Sequence, residues 1–356
     1  MMKAALIHKY EQKELAIEEV PLPTIHDNDV LVKIIAASIN PIDLKTKDGK
    51  VKMLLNYQMP LILGSDFAGI VVSVGKKVQN FRLGDAVYGR VPKNRVGTFA
   101  EYIAVDQAAV AMKPKNLTFE EAAAIPLVGL TSYQALHDIM NVQPGQKVLI
   151  QAGSGGIGTI AIQLAKLAGA YVATTTSSKN KEWVQALGAD EVIDYRTQNF
   201  EEVLSDYDYV FDTMGGTILE KAFSVVKPQG KVVTLSGIPN ERFAKEYGFA
   251  PLEKKGLLYL VAKEYGLPLW KQWAFKIATR KIHRLEQATD VSYHFLFMHP
   301  DGEQLALLTE FIEQGKLQPI IDRVIPFSQI QEAVDYSLTG RVQGKIVVKI
   351  ADVDHD

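Results

Sequence analysis

A glycine-rich segment between an apolar strand and an apolar helix constrains the fold of this chain most. The pattern G-x-G-x-x-G occurs in the segment Ala152-Gly153-Ser154-Gly155-Gly156-Ile157-Gly158, with apolar runs at 148–150 before it and 159–167 after it. Glycine clusters occur in many turns. In this setting the first glycine permits a tight turn, the second lets the backbone approach a pyrophosphate, and the third lets the helix pack on the sheet. We therefore predict that residues 153–158 bind a dinucleotide at the helix N-terminus.

The residues after the following strand indicate which dinucleotide binds. An NAD site usually has Asp or Glu here, which bonds the 2′-hydroxyl of the ribose. The sequence instead reads Thr174-Thr175-Thr176-Ser177-Ser178-Lys179-Asn180-Lys181 and has no acid in this stretch. Hydroxyl and ammonium groups suit a 2′-phosphate, which a carboxylate would repel. NADP(H) is therefore the favoured cofactor.

Hydrophobic periodicity divides the chain into zones. Up to about residue 115, short alternating runs separated by turn residues predict an antiparallel, partly barrel-like β domain. From about Thr118, apolar strands alternate with helical stretches, which predicts a parallel sheet covered on both faces. Residues 256–290 are predicted to be a helical insertion. After this insertion we expect a strand at 292–298, a helix at 302–314 and a return to β structure at 318–350.

Composition excludes several classes of function. A length of 356 residues predicts two domains, and a net charge of −2 argues against nucleic acid or an anionic membrane as partner. The absence of cysteine excludes disulfides, thiol nucleophiles and cysteine-bound zinc. The uncharged stretch 148–165 fits a buried strand and helix better than a membrane span, and the N-terminal apolar run is too short for a signal peptide. We expect a cytoplasmic protein.

A series of motifs runs in order along nearly the whole chain. The first half contains Asn40-Pro41-Ile42-Asp43, Gly64-Ser65-Asp66-Phe67-Ala68-Gly69, Gly84-Asp85-Ala86-Val87-Tyr88-Gly89 and Gly97-Thr98-Phe99-Ala100-Glu101-Tyr102. The series continues with Gly129-Leu130-Thr131, the glycine segment and Ile193-Asp194-Tyr195-Arg196. This series resembles the medium-chain dehydrogenase/reductase superfamily. It is most similar to the zinc-free quinone oxidoreductase branch, which includes zeta-crystallin and plant alkenal/enone reductases.

The resemblance implies an α/β chain of two domains. A GroES-like, β-rich catalytic domain would comprise residues 1–120 and 317–356. A doubly wound Rossmann domain that binds NADP(H) would comprise residues 121–316, with the helical insertion at about 256–290. Members of the family have the active site in the cleft between the domains. They usually form homodimers edge to edge through the last Rossmann strand, here about 292–298.

The resemblance also implies roles for three residues near the reacting groups. Asn40 would orient the nicotinamide end of the site through polar contact. Asp43 would support its loop, with a purely structural turn carboxylate as an equal alternative. Thr131 would lie beside the nicotinamide ribose or ring, unless it only caps a helix.

Further positions match cofactor contacts in the family. Three of them surround the 2′-phosphate: Ser177, Lys181 and Tyr195. Phe295 and Phe297 lie on the last strand, whose backbone reaches the carboxamide, although their rings fit core packing equally well. Arg341 resembles a cofactor-contacting arginine, with a solvated surface residue as the alternative. Tyr57 and Tyr133 are candidate proton donors, and nothing in the sequence selects either.

These features predict hydride transfer without a metal. Asn40 and Gly64-Ser65-Asp66 stand where zinc-dependent relatives have Cys and Gly-His-Glu, and the seven histidines show no paired ligand spacing. We therefore expect an oxidoreductase that transfers hydride from NADPH to a quinone or an α,β-unsaturated carbonyl. Two alternatives stay open: a reductase of another carbonyl or enoyl acceptor, and an NADPH-binding structural or regulatory protein without turnover. The sequence fixes neither the natural substrate nor the choice between dimer and tetramer.

Overall fold

Two units organise the fold, each built on its own β-sheets. The computed structural model describes residues 1–52, 55, 57–240 and 269–353. By their contacts, unit 1 comprises Met1–Leu130 and His299–Asp356, and unit 2 comprises Thr131–Met298. Each unit has its own cluster of buried apolar side chains.

Unit 1 is built on antiparallel sheets. Its described strands are β1 (Met2–Ile7), β2 (Ala16–Val20), β3 (Asp29–Ile39), β4 (Leu61–Ile62), β5 (Asp66–Val74), β6 (Ala86–Arg90), β7 (Tyr102–Asp106), β8 (Val110–Met112), β15 (Ile321–Pro326) and β16 (Lys345–Lys349). The small sheet has the order β2-β1-β4, and the larger one β15-β16-β3-β5-β6-β8, with β7 also paired to β3. β15 and β16 form the parallel pair of the larger sheet. The larger sheet thus combines N-terminal strands with β15 and β16 of the C-terminal tail.

The strand β3 is the centre of unit 1. It is rich in β-branched residues, and Val30, Val32 and Ile34 are completely buried. It pairs with β5, β7 and β16, so it joins the N-terminal strands to the C-terminal tail. The tail therefore completes the core of unit 1.

Unit 2 is built on one parallel sheet. Its described strands are β9 (Lys147–Ile150), β10 (Tyr171–Thr176), β11 (Glu191–Asp194), β12 (Tyr207–Asp212), β13 (Val226–Thr234) and β14 (Ser292–Phe295). They lie in the order β11-β10-β9-β12-β13-β14. β9 is apolar on both faces, since Val148, Leu149 and Ile150 are all buried. This is the predicted doubly wound sheet, and its order reverses at β9, which is where such sheets bind ligands.

The helices connect and cover these strands. In chain order they are α1 (Pro41–Lys47), α2 (Phe119–Ala123), α3 (Pro126–Tyr133), α4 (Gly156–Leu167), α5 (Lys181–Ala186), α6 (Phe200–Val203), α7 (Gly216–Ala222), α8 (Leu269–Thr289), α9 (Gly302–Glu313) and α10 (Ile330–Leu338). A π-helical stretch, Gln134–Ile139, continues α3. No helix among the described residues is both long and apolar enough to cross a bilayer.

The structure differs from the sequence-based expectation in two places. Helix α10 lies inside the tail where only β structure was expected, and its buried residues Ile330, Ala333 and Val334 have helical spacing. Strand β14 ends at Phe295 rather than at 298. Of the expected helical insertion, the part from Leu269 onward is α8, and residues 256–268 lie outside the described residues.

The limits of the units also differ from the expected domain limits. Residues 121–130 and 299–316 belong by their contacts to unit 1. The Leu127 N–H donates to Oδ1 of Asp66 at 2.9 Å. The Tyr88 hydroxyl donates to the carbonyl of Leu305 at 2.8 Å. These buried hydrogen bonds attach α3 and α9 to strands of unit 1.

Candidate dinucleotide and acceptor sites

The glycine segment forms the turn between β9 and α4. The left-handed residue of this turn is Ala152, with φ of 55°, whereas Gly153 does not have a positive φ. Gly153 is needed for another reason, because a Cβ there would lie 2.2 Å from Oγ1 of Thr174 on β10. A Cβ on Gly158 would lie 2.3 Å from the carbonyl oxygen of Ala152. The two glycines therefore allow the turn to pack against the strand and the helix.

Gly155 marks the start of the helix. It is the N-cap residue of α4, and the first helical hydrogen bond runs from the Thr159 N–H to its carbonyl. The N–H groups of Gly156 to Gly158 precede that bond, as at any helix start. A Cβ on Gly155 would meet only the Ala152 carbonyl, at 3.3 Å. The space in front of Gly155 is thus open for a diphosphate to reach these N–H groups.

The end of β10 holds the glycine turn in place. The Ala152 N–H donates to Oγ1 of Thr175 at 3.0 Å, and the Gly153 N–H donates to the Thr175 carbonyl at 2.9 Å. The Thr176 hydroxyl donates to Oγ of Ser154 at 2.9 Å. The threonines were considered only as hydroxyls near a 2′-phosphate, so the sequence interpretation missed this supporting role.

The expected 2′-phosphate residues follow neighbouring strands of unit 2. Ser177 comes directly after β10 and is buried, Lys181 is the exposed first residue of α5, and Tyr195 is 61% exposed directly after β11. β10 and β11 pair in parallel up to Thr176 and Asp194, so these residues share the carboxyl edge of the sheet. That edge is where a doubly wound fold binds its ligand.

Asp194 is an acid at this edge that the sequence interpretation passed over. Its carboxylate accepts the Arg196 N–H at 3.0 Å and the Ser178 N–H at 3.1 Å. These backbone N–H groups, above all that of Arg196, lower the pKa of Asp194. The carboxylate thus joins the segments that follow β10 and β11, and both of its oxygens are engaged in that contact.

Asn40 lies in a buried polar cluster of unit 1. It is the N-cap residue of α1, and its Nδ2 donates to Oδ2 of Asp66 at 2.9 Å and to the Ser38 carbonyl at 3.4 Å. Its Oδ1 accepts a hydrogen bond from Nζ of Lys345. Asn40 therefore links Asp66 to Lys345 through both ends of its side-chain amide.

Asp43 supports the start of α1. Its Oδ2 accepts the Asn40 N–H at 2.9 Å, and its Oδ1 accepts the Ser65 hydroxyl at 2.7 Å. Burial raises the pKa of Asp43 to about 7, although both hydrogen bonds oppose that shift. These contacts favour the structural alternative for this carboxyl.

Asp66 is the centre of the cluster and was missed by the sequence interpretation. It accepts hydrogen bonds from the Ser38 hydroxyl at 2.8 Å, from Asn40, and from the Leu127 N–H at 2.9 Å. Nζ of Lys345 lies 3.9 Å from its Oδ2. Burial raises the pKa of Asp66, and Lys345 opposes that rise. A chain segment 279 residues away thus supplies the cation.

Two sequence models of known families match this chain. One, described as alcohol dehydrogenase GroES-like domain, matches residues 26–115, and the other, described as zinc-binding dehydrogenase, matches residues 187–348. A 2-methylene-furan-3-one reductase of Solanum lycopersicum is 35% identical over 339 residues, which cover 92% of this chain and 74% of the relative. The chain belongs to the medium-chain dehydrogenase/reductase superfamily.

Other similar proteins of the superfamily are named as alkenal/one or quinone oxidoreductases. An NADPH-dependent alkenal/one oxidoreductase of Arabidopsis thaliana, named as chloroplastic, is 32% identical and covers 92% of this chain and 74% of its own length. The quinone oxidoreductase structure from Coxiella burnetii has a TM-score of 0.81 at 30% identity, and the match covers 98% of this chain and 99% of that one. The predicted fold and the resemblance to the superfamily, with its quinone and enone oxidoreductases, are confirmed.

The other positions that the superfamily implies are spread over both units. Thr131 is a buried residue within α3, which begins at Pro126, so the helix-cap alternative for Thr131 is wrong. Phe295 belongs to the core of unit 2, and its ring lies 6.5 Å from the partly buried ring of Phe297, which supports the core alternative. Arg341 is exposed between α10 and β16 of unit 1.

Proposed function

We propose that this chain is an NADPH-dependent oxidoreductase that reduces a quinone or an α,β-unsaturated carbonyl. The observation that carries the proposal is the glycine turn of unit 2, which opens onto a sheet edge with Ser177, Lys181 and Tyr195. Several relatives support the acceptor class, since they are named as quinone, alkenal/one or furanone reductases.

The residues of the glycine turn fit a dinucleotide diphosphate. The open approach at Gly155 would admit the diphosphate, and the N–H groups of Gly156 to Gly158 would hold it. Lys181 and Ser177 would favour a 2′-phosphate through charge and hydrogen bonding. When bound, NADPH supplies the hydride from C4 of its nicotinamide.

The acceptor takes up two electrons with that hydride. The hydride adds to the β-carbon of the conjugated carbonyl, the π electrons shift to the carbonyl oxygen, and the resulting enolate takes a proton from solvent. A quinone is reduced in the same way to a hydroquinone. The protein must therefore exclude water from the hydride path and stabilise negative charge on one oxygen. The buried cluster of Asn40, Asp66 and Lys345 is proposed to hold the start of α1 and of β5 in position.

The proposed reaction needs no zinc. Asn40 and Ser65 occupy the motif positions of zinc ligands, and their side chains hydrogen-bond to Asp66 and Asp43. Among the residues that the structure describes, no group of three His, Asp or Glu is arranged to hold a metal ion. An amide and a hydroxyl are poor zinc ligands beside Cys and His, which supports zinc-independent chemistry.

Domain roles, assembly and location are further proposals. Unit 1 is proposed as the GroES-like catalytic domain and unit 2 as the NADP(H)-binding domain. A homodimer through β14 is supported by its place at the end of the strand order, where its only described partner is β13. A cytoplasmic location stays a prediction, since several relatives are named as chloroplastic or mitochondrial.

A panel of acceptors tests the proposal. NADPH consumption is followed by absorbance with benzoquinone, phenanthrenequinone, an alkenal, an enone and a saturated aldehyde, each repeated with NADH and after EDTA treatment. We expect turnover of quinones or enones with NADPH, little with NADH, and no loss on chelation. Tight NADPH binding without turnover of any acceptor would favour the non-enzymatic alternative. Loss of activity on chelation would contradict the zinc-free mechanism.

A further inference from the structure

Arg90 is the last residue of β6, and its guanidinium group is buried. Its side chain is 2% exposed, and its Nε and Nη1 have no hydrogen-bond partner among the described residues. Buried charged donors are almost always bonded, and the exceptions mark places where a ligand or water binds. The proposed hydride transfer does not otherwise involve this residue.

A second buried donor without a described partner lies near Arg90, beside the turn 64–66. Oγ1 of Thr98 is buried and has no partner among the described residues. The Thr98 N–H donates to the Gly64 carbonyl at 3.3 Å, and Arg90 is paired with Asp66 across β5 and β6. The unpartnered atoms of Arg90 and Thr98 therefore border the turn 64–66, which leads into the buried polar cluster of Asn40.

The neighbours of Arg90 limit what it can bind. Burial lowers the pKa of Arg90, while the charges of Asp66, Tyr57 and Asp43 oppose that shift. The carboxylate of Asp66 accepts hydrogen bonds from Ser38, Asn40 and Leu127, and no bond joins it to Arg90 in the described structure. Two carboxyl groups this close would repel a phosphate dianion. A neutral oxygen that gains charge only during reaction would suit the site better.

We infer that Arg90, together with the Thr98 hydroxyl, binds the carbonyl oxygen of the acceptor. The inference rests on the proposed function. As the hydride adds to the β-carbon, the π electron pair moves to the carbonyl oxygen, and the guanidinium holds the enolate until solvent supplies a proton. A fixed donor that binds the oxygen more tightly once it becomes charged lowers the barrier.

Binding of para-nitrophenol to the NADP⁺ complex tests this inference. Its phenolate oxygen imitates the enolate, and its neutral and ionised forms absorb at different wavelengths. We expect the wild-type protein to bind the phenolate form at a pH at which the free probe is mostly neutral. Arg90→Met should lose that spectrum, and Thr98→Val should weaken it. Arg90→Lys should retain it with lower affinity, because the cation remains.

Turnover gives an independent measure. Arg90→Met should lower kcat for an enone by about a hundredfold, the usual effect of removing an oxyanion donor, while the Kd for NADPH is unchanged. Arg95→Met is the matched control, because Arg95 is committed to Asp29 through two hydrogen bonds of 2.8 Å. That variant should unfold at a lower temperature and yet bind the phenolate as the wild type does.

The outcomes separate this inference from the proposed function. Wild-type turnover combined with identical phenolate spectra in the wild type and Arg90→Met would overturn the inference alone. Absence of a bound phenolate in the wild type would also overturn it. Absence of turnover with every acceptor would overturn the proposed function, whatever the probe shows. If Arg90→Met fails to fold, Arg90→Lys decides, since phenolate affinity equal to that of the wild type would contradict a contact that depends on the guanidinium group.

Discussion

The hydrogen-bond partners of individual side chains were the hardest feature of this site to predict from the sequence. Asn40 was expected to touch the cofactor, but its amide is occupied by Asp66, Ser38 and Lys345. The sequence shows an asparagine at a family position and does not show its partners. Lys345 lies 305 residues from Asn40, so no local pattern could have revealed that pair. Such long-range polar contacts depend on the completed fold.

The raised pKa of Asp43 makes stability depend on pH. The folded-state pKa is about 7 and the ordinary value is 3.8, so the folded protein binds this proton more tightly than the unfolded chain does. The tighter binding of the Asp43 proton therefore stabilises the folded protein fully below about pH 4, and this stabilisation is lost as pH rises to about 7. Asp43→Asn should remove this loss, which amounts to at most roughly 4 kcal/mol at about 1.4 kcal/mol per pKa unit.

Urea unfolding at several pH values checks that prediction. Relative to Asp43→Asn, the wild type should lose unfolding free energy between pH 4 and 7. Replacement of the exposed Asp27 by Asn is the control and should leave the pH profile unchanged. Parallel profiles for the wild type and Asp43→Asn would show that the Asp43 carboxyl is not the group responsible.

Lys181 tests the choice of cofactor at the residue scale. A charged hydrogen bond to the 2′-phosphate contributes about 1.5–3 kcal/mol, so Lys181→Glu should weaken NADPH binding by at least about tenfold. NADH lacks this phosphate and should bind almost unchanged. Fluorescence titration with both cofactors measures the ratio. The exposed Lys316→Glu has the same charge change in unit 1 and should affect neither cofactor. Equal weakening of both cofactors by Lys181→Glu would remove this residue from the phosphate site.

At the element scale, the sequence predicted the strand–turn–helix of the glycine segment and missed how it is held. Periodicity and glycine spacing located β9, the turn and α4. The left-handed Ala152 and its contact with Thr175 were not visible, because alanine rarely adopts that conformation. Helix α10 was missed although its apolar spacing is helical, because β-branched residues dominate the surrounding tail.

Two glycines of this element should respond differently to alanine. A Cβ at Gly155 meets only one carbonyl at 3.3 Å, whereas a Cβ at Gly158 lies 2.3 Å from the Ala152 carbonyl. Gly155→Ala should therefore keep most of the stability and weaken NADPH binding, because the methyl group occupies the diphosphate approach. Gly158→Ala should lower the unfolding temperature, because backbone must move.

Thermal unfolding and cofactor titration of both variants separate these effects. The glycine at 315, with φ of 70° and nothing near its Cβ position, provides a control for backbone strain alone. Gly315→Ala should lose some stability and bind NADPH normally. Unchanged NADPH affinity in Gly155→Ala would place the diphosphate elsewhere.

At the scale of the whole molecule, most of the architecture followed from the sequence. The change from alternating strands to strand–helix repeats near residue 118 predicted an antiparallel unit and a parallel one. The limits of the units were harder to predict, because buried hydrogen bonds to Asp66 and Tyr88 attach the start of α3 and helix α9 to unit 1. Strand periodicity cannot show which sheet a helix will join.

Transfer of deuterium from NADPH to an enone tests the central claim most directly. The protein is incubated with an enone and NADPH that carries deuterium at the transferable C4 position, and the product is analysed by NMR. We predict a saturated ketone with one deuterium at the β-carbon and a solvent-derived hydrogen at the α-carbon. Deuterium on the carbonyl carbon of an alcohol product, or no deuterium in any product, would contradict the proposed reduction of a conjugated acceptor.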